Sequence, residues 1–144
     1  MSKIIWITGA GTGIGKALAL AYNEKGNTII LSGRKEDQLN EVATLLSNAY
    51  VLPLDVVNEE AITQAVAEVT AKFGRVDVLI NNAGVSQRAL VTETSNDVGR
   101  QLMEVNFFGS VHLTKAVLPL MLKTGTGNIV GMSSAAGKFG FPLR

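Results

Sequence analysis

The stretch "TGAGTGIG", Thr8–Gly15, sits between a short apolar run, "KIIWIT" (Lys3–Thr8), and the periodic pattern of a helix. A chain that turns through glycines from a strand into a helix offers free backbone N–H groups and the positive end of the helix dipole, and that arrangement suits an anion. Glycine lets the backbone turn tightly and lets a bulky anion approach it. The spacing is Gly9-xxx-Gly13-x-Gly15, with Gly11 and Thr12 inside the turn and Ile14 where a GxGxxG pattern has its third glycine. Lys16 follows Gly15 without the GK[ST] spacing of an NTPase loop. Spacing alone leaves two readings, a tight strand-to-helix turn or a phosphate loop.

Four further short apolar runs follow: "TIILS" (Thr28–Ser32), "YVLPL" (Tyr50–Leu54), "VDVLI" (Val76–Ile80) and "NIVGMS" (Asn128–Ser133). They are β-branched and mostly lack polar alternation, as strands buried on both faces do. Helical spacing fills the gaps: Ile14, Ala17, Leu18, Ala21 and Tyr22; then Leu39, Val42, Ala43 and Leu46; then Ile62, Ala65, Val66 and Val69. A longer helix is predicted from about Asn96 to Leu122, with Leu102, Val105, Leu113, Ala116, Val117 and Leu120 inward. Strand and helix alternating at this pitch predict right-handed βαβ units and an open parallel sheet. No internal repeat or linker is evident, so residues 1–144 are expected to form one domain.

Composition narrows the function classes. Hydrophobic residues make up 47% of the 144 and charged ones 17%, with 13 Lys and Arg against 12 Asp and Glu. A net charge of +1 with no basic stripe argues against nucleic acid as a partner. The absence of cysteine removes disulfides and thiolate metal sites and fits a reducing compartment. The glycine turn begins by Gly9, which leaves no room for a signal peptide, and no apolar run approaches the roughly 20 residues of a membrane span. The expectation is a cytoplasmic protein without membrane or metal. His112, the one histidine, has Ala116 rather than a carboxylate four residues on and reads as structural.

Three segments together carry a family likeness: "TGAGTGIG" after the first run, "LDV" (Leu54–Val56) after the third and "NNAG" (Asn81–Gly84) after the fourth. In this order and on these elements they resemble the signatures of the short-chain dehydrogenase/reductases, across the whole chain. The resemblance implies a Rossmann-type, doubly wound parallel α/β sheet of strand order 3-2-1-4-5, lacking the later strands and helices of the complete family fold. It implies cofactor contacts at Gly9, Gly11, Thr12, Gly13, Ile14 and Gly15, and at Asn82, Ala83 and Gly84. Asp55 becomes the candidate partner of the adenine amino group, with the Val56 backbone beside it; alone, Asp55 could equally cap the helix that starts near Glu59.

The end of the second strand bears on which nicotinamide cofactor is used. An NAD site usually carries an acidic residue there for the ribose 2′-OH. Here the strand runs into "LSGRK", with Gly33 in that place and Arg34 next. A carboxylate would repel a 2′-phosphate, whereas an arginine pairs with it bidentately, so Arg34 argues for NADP(H) over NAD, with Lys35 adding charge. Read blandly, Arg34 and Lys35 are a solvated pair before a helix. Glu36 and Asp37 read as helix N-terminal charges.

By the resemblance, hydride transfer between nicotinamide and a small carbonyl or secondary alcohol calls on a serine, a tyrosine, a lysine and a helix asparagine. Family spacing assigns the serine to Ser134, with Ser133 the runner-up; either also reads as a strand-end cap. Asn106, in "MEVNFFG", is the asparagine; as a polar group on an apolar helix face it is expected to be buried with a partner, or else to be bonded locally near a helix bend. The tyrosine position falls just past Arg144, and Tyr22 and Tyr50 lie on the wrong elements. The chain is therefore expected to be the front portion of a longer enzyme, inactive alone and homo-oligomeric when whole, with "VSQRALVTETS" (Val85–Ser95) as one substrate wall. An uncovered fifth strand would leave an exposed edge. Two rival readings use the same glycine turn: a non-catalytic nucleotide-binding module, and an S-adenosylmethionine methyltransferase, which "NNAG" and Arg34 weigh against.

Overall fold

The computed structural model describes residues 2–140, so the end of the chain at Arg144 lies outside the described residues. Five parallel strands form one sheet: β1 (Ile4–Thr8), β2 (Thr28–Ser32), β3 (Ala49–Val51), β4 (Val78–Asn81) and β5 (Asn128–Gly131). Their order is β3-β2-β1-β4-β5, the predicted doubly wound arrangement. The helices are α1 (Gly13–Asn23), α2 (Glu36–Ala43), α3 (Glu59–Phe73), α4 (Asn96–Met103) and α5 (Gly109–Thr124).

Successive strand residues face opposite sides of a sheet, so a parallel sheet covered by helices needs two cores. Trp6, Ile30 and Leu79 point to one side, where Ile62, Ala65 and Val69 of α3 and Leu113, Val117 and Leu120 of α5 meet them. Ile5, Ile7, Ile29, Leu31 and Ile80 point to the other, against Ala19 of α1 and Leu39 and Val42 of α2. Among the described residues β5 bonds only to β4 and is exposed along its length, the edge expected of an uncovered fifth strand.

Three expectations need correcting. The first concerns α1, whose inward row is Gly15, Ala19 and Asn23, flanked by half-buried Leu18 and Tyr22; Ile14, Ala17 and Ala21 are exposed. The helix lies too close to the sheet for larger side chains. Asn23 is accommodated because its Nδ2 donates to the Asn27 and Asn48 carbonyls (3.0 and 3.2 Å) and its Oδ1 accepts from Ser47 N (2.9 Å). The second concerns β3, which is shorter than Tyr50–Leu54. Leu52 and Leu54 still donate to the Leu31 and Gly33 carbonyls (2.9 Å each), but the intervening Pro53 has no N–H and faces solvent. The third concerns the long helix, which is interrupted by a π turn, Glu104–Phe108, that joins α4 to α5. Asn96–Thr124 is 29 residues long and, by length and hydropathy, sufficient to cross a membrane, against the expectation that no such segment exists. In this structure its Leu113, Val117, Leu120 and Met121 are core residues.

One buried polar chain ties β1 and β2 to the segment that follows β3. The Trp6 indole N–H donates to Ser32 Oγ (2.8 Å), which donates to the Leu52 carbonyl (2.8 Å). Trp6 and Ser32 are wholly inaccessible, so the chain has no water to fall back on. Ser32→Ala leaves both neighbours unpaired and is expected to cost about 1–3 kcal/mol in urea unfolding. An unchanged urea midpoint would mean that the chain contributes nothing.

Candidate functional site

The carboxyl ends of the strands carry the residues singled out in the sequence. Gly15 begins the inward row of α1, and a Cβ there would lie 2.1 Å from the Gly9 carbonyl oxygen, so any other residue would push the helix off its turn. Gly13 has a φ of +54° with no atom near its missing side chain, so its conformation, not crowding, calls for glycine. Gly11 lies against Gln38 of α2. Thr12 precedes α1 but makes no side-chain cap, and no acidic residue occupies the first turn. By contrast, α3 is capped by Asn58, whose Oδ1 accepts from Ala61 N (2.9 Å), and opens with Glu59 and Glu60. The first N–H groups of α1 are thus left for an outside acceptor.

The segment after β4 is fastened to this turn by Thr8, which is absent from the candidates named above. Thr8 Oγ1 accepts from Asn82 N (3.0 Å) and Ala83 N (2.9 Å) and donates to the Ile80 carbonyl (3.4 Å). Asn82 returns the tie, its Nδ2 donating to the Thr8 and Gly9 carbonyls (2.9 and 3.3 Å). A threonine closing an apolar strand was the only sequence signal for this role, and it is a weak one.

Two clefts flank the Asn82–Val85 segment and share Ala83, Gly84 and Val85 as a wall. The smaller, about 130 Å³, is bounded by Gly9, Gly33, Arg34, Asp55 and Val56. Arg34 is exposed at its rim, among the described residues without an ion-pair partner. Asp55 does not cap α3, since Asn58 does; its Oδ1 accepts from Val57 N (3.2 Å), a short turn that leaves the carboxylate at the cleft. Val56 is buried beneath Gly109, where a Cβ would lie 2.7 Å from Val56 Cγ2, so α5 passes directly over it.

The larger cleft, about 610 Å³, is bounded by Ile14, Asn106, Ser110, Met132, Ser133 and Ser134. Ile14 is 61% exposed there, an apolar surface beside the glycine turn. Asn106 is exposed, not buried as expected, yet its partner exists: Oδ1 accepts from Val85 N (2.8 Å) and Nδ2 donates to the Val85 carbonyl (2.9 Å). Ser134 both faces the cleft and caps the turn after β5, its Oγ accepting from Ala136 N (3.1 Å). Among the described residues, the site thus brings together the glycine turn, Arg34, Asp55, Asn82–Gly84, Asn106 and Ser134.

Neither tyrosine reaches this edge. Tyr22 borders Lys3 and Ile5 at the start of β1. The Tyr50 hydroxyl is bonded to Glu68, and that bond, with some burial and the carboxylate charge, holds its pKa above the usual tyrosine value. His112 has no carboxylate four residues on, as the sequence shows, but α3 brings one near: Glu59 Oε1 lies 3.8 Å from Nδ1.

Comparison with known proteins agrees with this geometry. The family model for short chain dehydrogenase matches residues 3–144. The Drosophila melanogaster dehydrogenase/reductase SDR family protein 7-like is 44% identical over 150 residues, spanning 99% of this chain and 46% of the relative. Human dehydrogenase/reductase SDR family member 7 is 40% identical over 148 residues, spanning 97% of this chain and 44% of the relative. A solved short-chain dehydrogenase from Streptomyces avermitilis superposes with a TM-score of 0.91 at 39% identity, over 99% of this chain and 53% of that one. A metagenomic short-chain oxidoreductase in complex with NADP does so with a TM-score of 0.88 at 30% identity, over 97% and 66%. The chain spans about half the length of the curated relatives it matches. The chain belongs to the short-chain dehydrogenase/reductase family.

Proposed function

We propose that this chain is the cofactor-binding portion of an NADP(H)-dependent oxidoreductase that interconverts a small carbonyl compound and its secondary alcohol. The observation that carries the cofactor choice is Arg34, free at the rim of the smaller cleft with Gly33 where an NAD site would place a carboxylate. A structural relative at 30% identity binds NADP, which supports the same reading.

The residues present fit a nicotinamide dinucleotide. The uncapped start of α1, with Gly13 and Gly15, would receive the pyrophosphate on backbone N–H groups. Arg34 would pair with the 2′-phosphate, and the Asp55 carboxylate would accept from the adenine amino group beside the Val56 backbone. Asn82, Ala83 and Gly84, held by Thr8, would form the floor between the two halves of the cofactor. The bound group supplies hydride transfer to or from the substrate carbon.

The chain's own residues would shape the rest of the reaction. Ser134 would donate its hydroxyl to the substrate oxygen, where negative charge grows during reduction. The Ser134 cap leaves that hydroxyl hydrogen uncommitted, because Oγ is the acceptor from Ala136 N. Asn106 would hold Val85, and with it the far end of the wall shared by both clefts. Proton transfer needs a group with a suitable pKa next to that oxygen. The tyrosine that the family uses falls beyond this sequence, so the chain would bind cofactor without turning substrate over at a normal rate. The whole enzyme would act on small molecules and assemble as a homo-oligomer.

Two outcomes test this. Arg34→Ala is expected to weaken NADPH binding about tenfold or more, the loss of a charge-assisted pair, with little effect on NADH. Wild-type affinity that is equal for the two cofactors would sink the NADP assignment. Separately, a chain of verified 15.2 kDa mass should show NADPH fluorescence changes but no measurable ketone reduction. Robust turnover would overturn the inactivity reading. A longer gene product that binds NADPH yet reduces no carbonyl would favour a non-catalytic nucleotide-binding module.

A further inference from the structure

We infer that Thr114 of α5 is a positioning residue that sets the placement of the Asn82–Gly84 wall through the side chain of Asn81, an inference that rests on the cofactor-binding reading above. Asn81 ends β4, is 6% exposed, and donates from Nδ2 to Thr114 Oγ1 (3.0 Å). Its carbonyl accepts from Met132 N (2.9 Å), so it also ties β4 to the end of β5. Thr114 itself lines neither cleft. Among the described residues, the hydrogen bond to Asn81 links its side chain to them.

The bond is one half of a clamp. The long helix holds the near end of the segment at Asn81 through Thr114 and the far end at Val85 through Asn106. Between them, Thr8 holds Asn82 and Ala83 from β1. A wall fastened at both ends and in the middle moves only if one fastening lets go. Ser110, between the two helix anchors, faces the larger cleft, so Asn106, Ser110 and Thr114 form one polar row on the helix.

The π turn explains how a single helix reaches both ends. Asn106 and Thr114 are eight residues apart, which in an uninterrupted α-helix sets their directions about 80° apart. At Glu104–Phe108, Gly109 N bonds to the Glu104 carbonyl, five residues back instead of four. That wider turn holds an extra residue and sets the following helix back in phase, toward the side that Asn106 occupies. Single π turns inside α-helices are frequent at functional sites.

A purely structural role for Thr114 would satisfy the buried Asn81 amide and nothing else, and cofactor affinity separates the two roles. NADPH is titrated into the 144-residue chain and into T114V, T114S and T114A, each below its melting temperature. We expect T114V and T114A to bind about fivefold more weakly or worse, with T114S within twofold of wild type because it keeps the hydroxyl. The ligand-free backbone amide resonances of Ala83 and Gly84 should shift in T114V and return in T114S. Should T114V not fold, T114A, which puts a strong helix former at the position, carries the comparison. Lower melting temperatures with unchanged NADPH affinity and unchanged Ala83 and Gly84 resonances would overturn the inference. A wild-type chain that binds no NADPH would instead overturn the functional reading beneath it, and the ligand-free resonances would still judge the clamp.

Discussion

The carboxyl edge of the sheet depends on one absent atom, the Cβ of Gly15. Without it, α1 starts almost in contact with the Gly9 carbonyl, where a methyl group would sit 2.1 Å from the oxygen. The same missing atom leaves room for the Asn82 amide, whose nitrogen would be 2.7 Å from that Cβ. So the close approach of helix and turn is also what lets Asn82 reach the Thr8 and Gly9 carbonyls and join β4 to β1. An alanine at this position would have to displace a helix start, a backbone carbonyl or the Asn82 amide, which two hydrogen bonds hold in place.

Sequence and structure agree where apolar periodicity and backbone chemistry say the same thing. Five apolar runs became five parallel strands in the expected order, and Leu39, Val42, Ile62, Ala65 and Val69 face inward as their spacing predicts. On α1, Leu18 and Tyr22 pack against the core as their spacing predicts, but Ile14, Ala17 and Ala21 do not, because hydrophobicity ranks Ile14 above Gly15 and passes over Asn23. Close approach inverts that ranking, since small residues fit and a fully bonded asparagine is admitted. Ile14, displaced from the core, becomes a wall of the larger cleft.

The site was legible in part for the same reason. Glycines, Arg34 and Asp55 announce themselves by type and place, whereas Thr8, Asn81 and Thr114 work through partners far away in sequence. Thr8 meets Asn82 across 74 positions and Asn81 meets Thr114 across 33, contacts that no local pattern encodes. Asn106 falls between the two. Its polarity on an apolar helix flagged it correctly, but the inference of burial was wrong because the Val85 backbone satisfies it at the surface. The π turn was hidden too, since an extra residue in one turn barely disturbs the apolar pattern of the long helix.

These anchors divide the site into a part that is locked and a part that is free. The wall shared by the two clefts is bonded to β1 and to the long helix, so a change there alters both clefts together. Arg34 stands apart. It lies on the connection from β2 to α2, exposed, with no hydrogen bond to Thr8, Asn82, Asn106 or Thr114 among the described residues. The charge at the rim can therefore be altered without loosening the wall. On the proposed reading, discrimination between the two nicotinamide cofactors would sit on an exposed connection outside the hydrogen bonds that fasten the wall. Placement of the cofactor against substrate would sit on the elements those hydrogen bonds join.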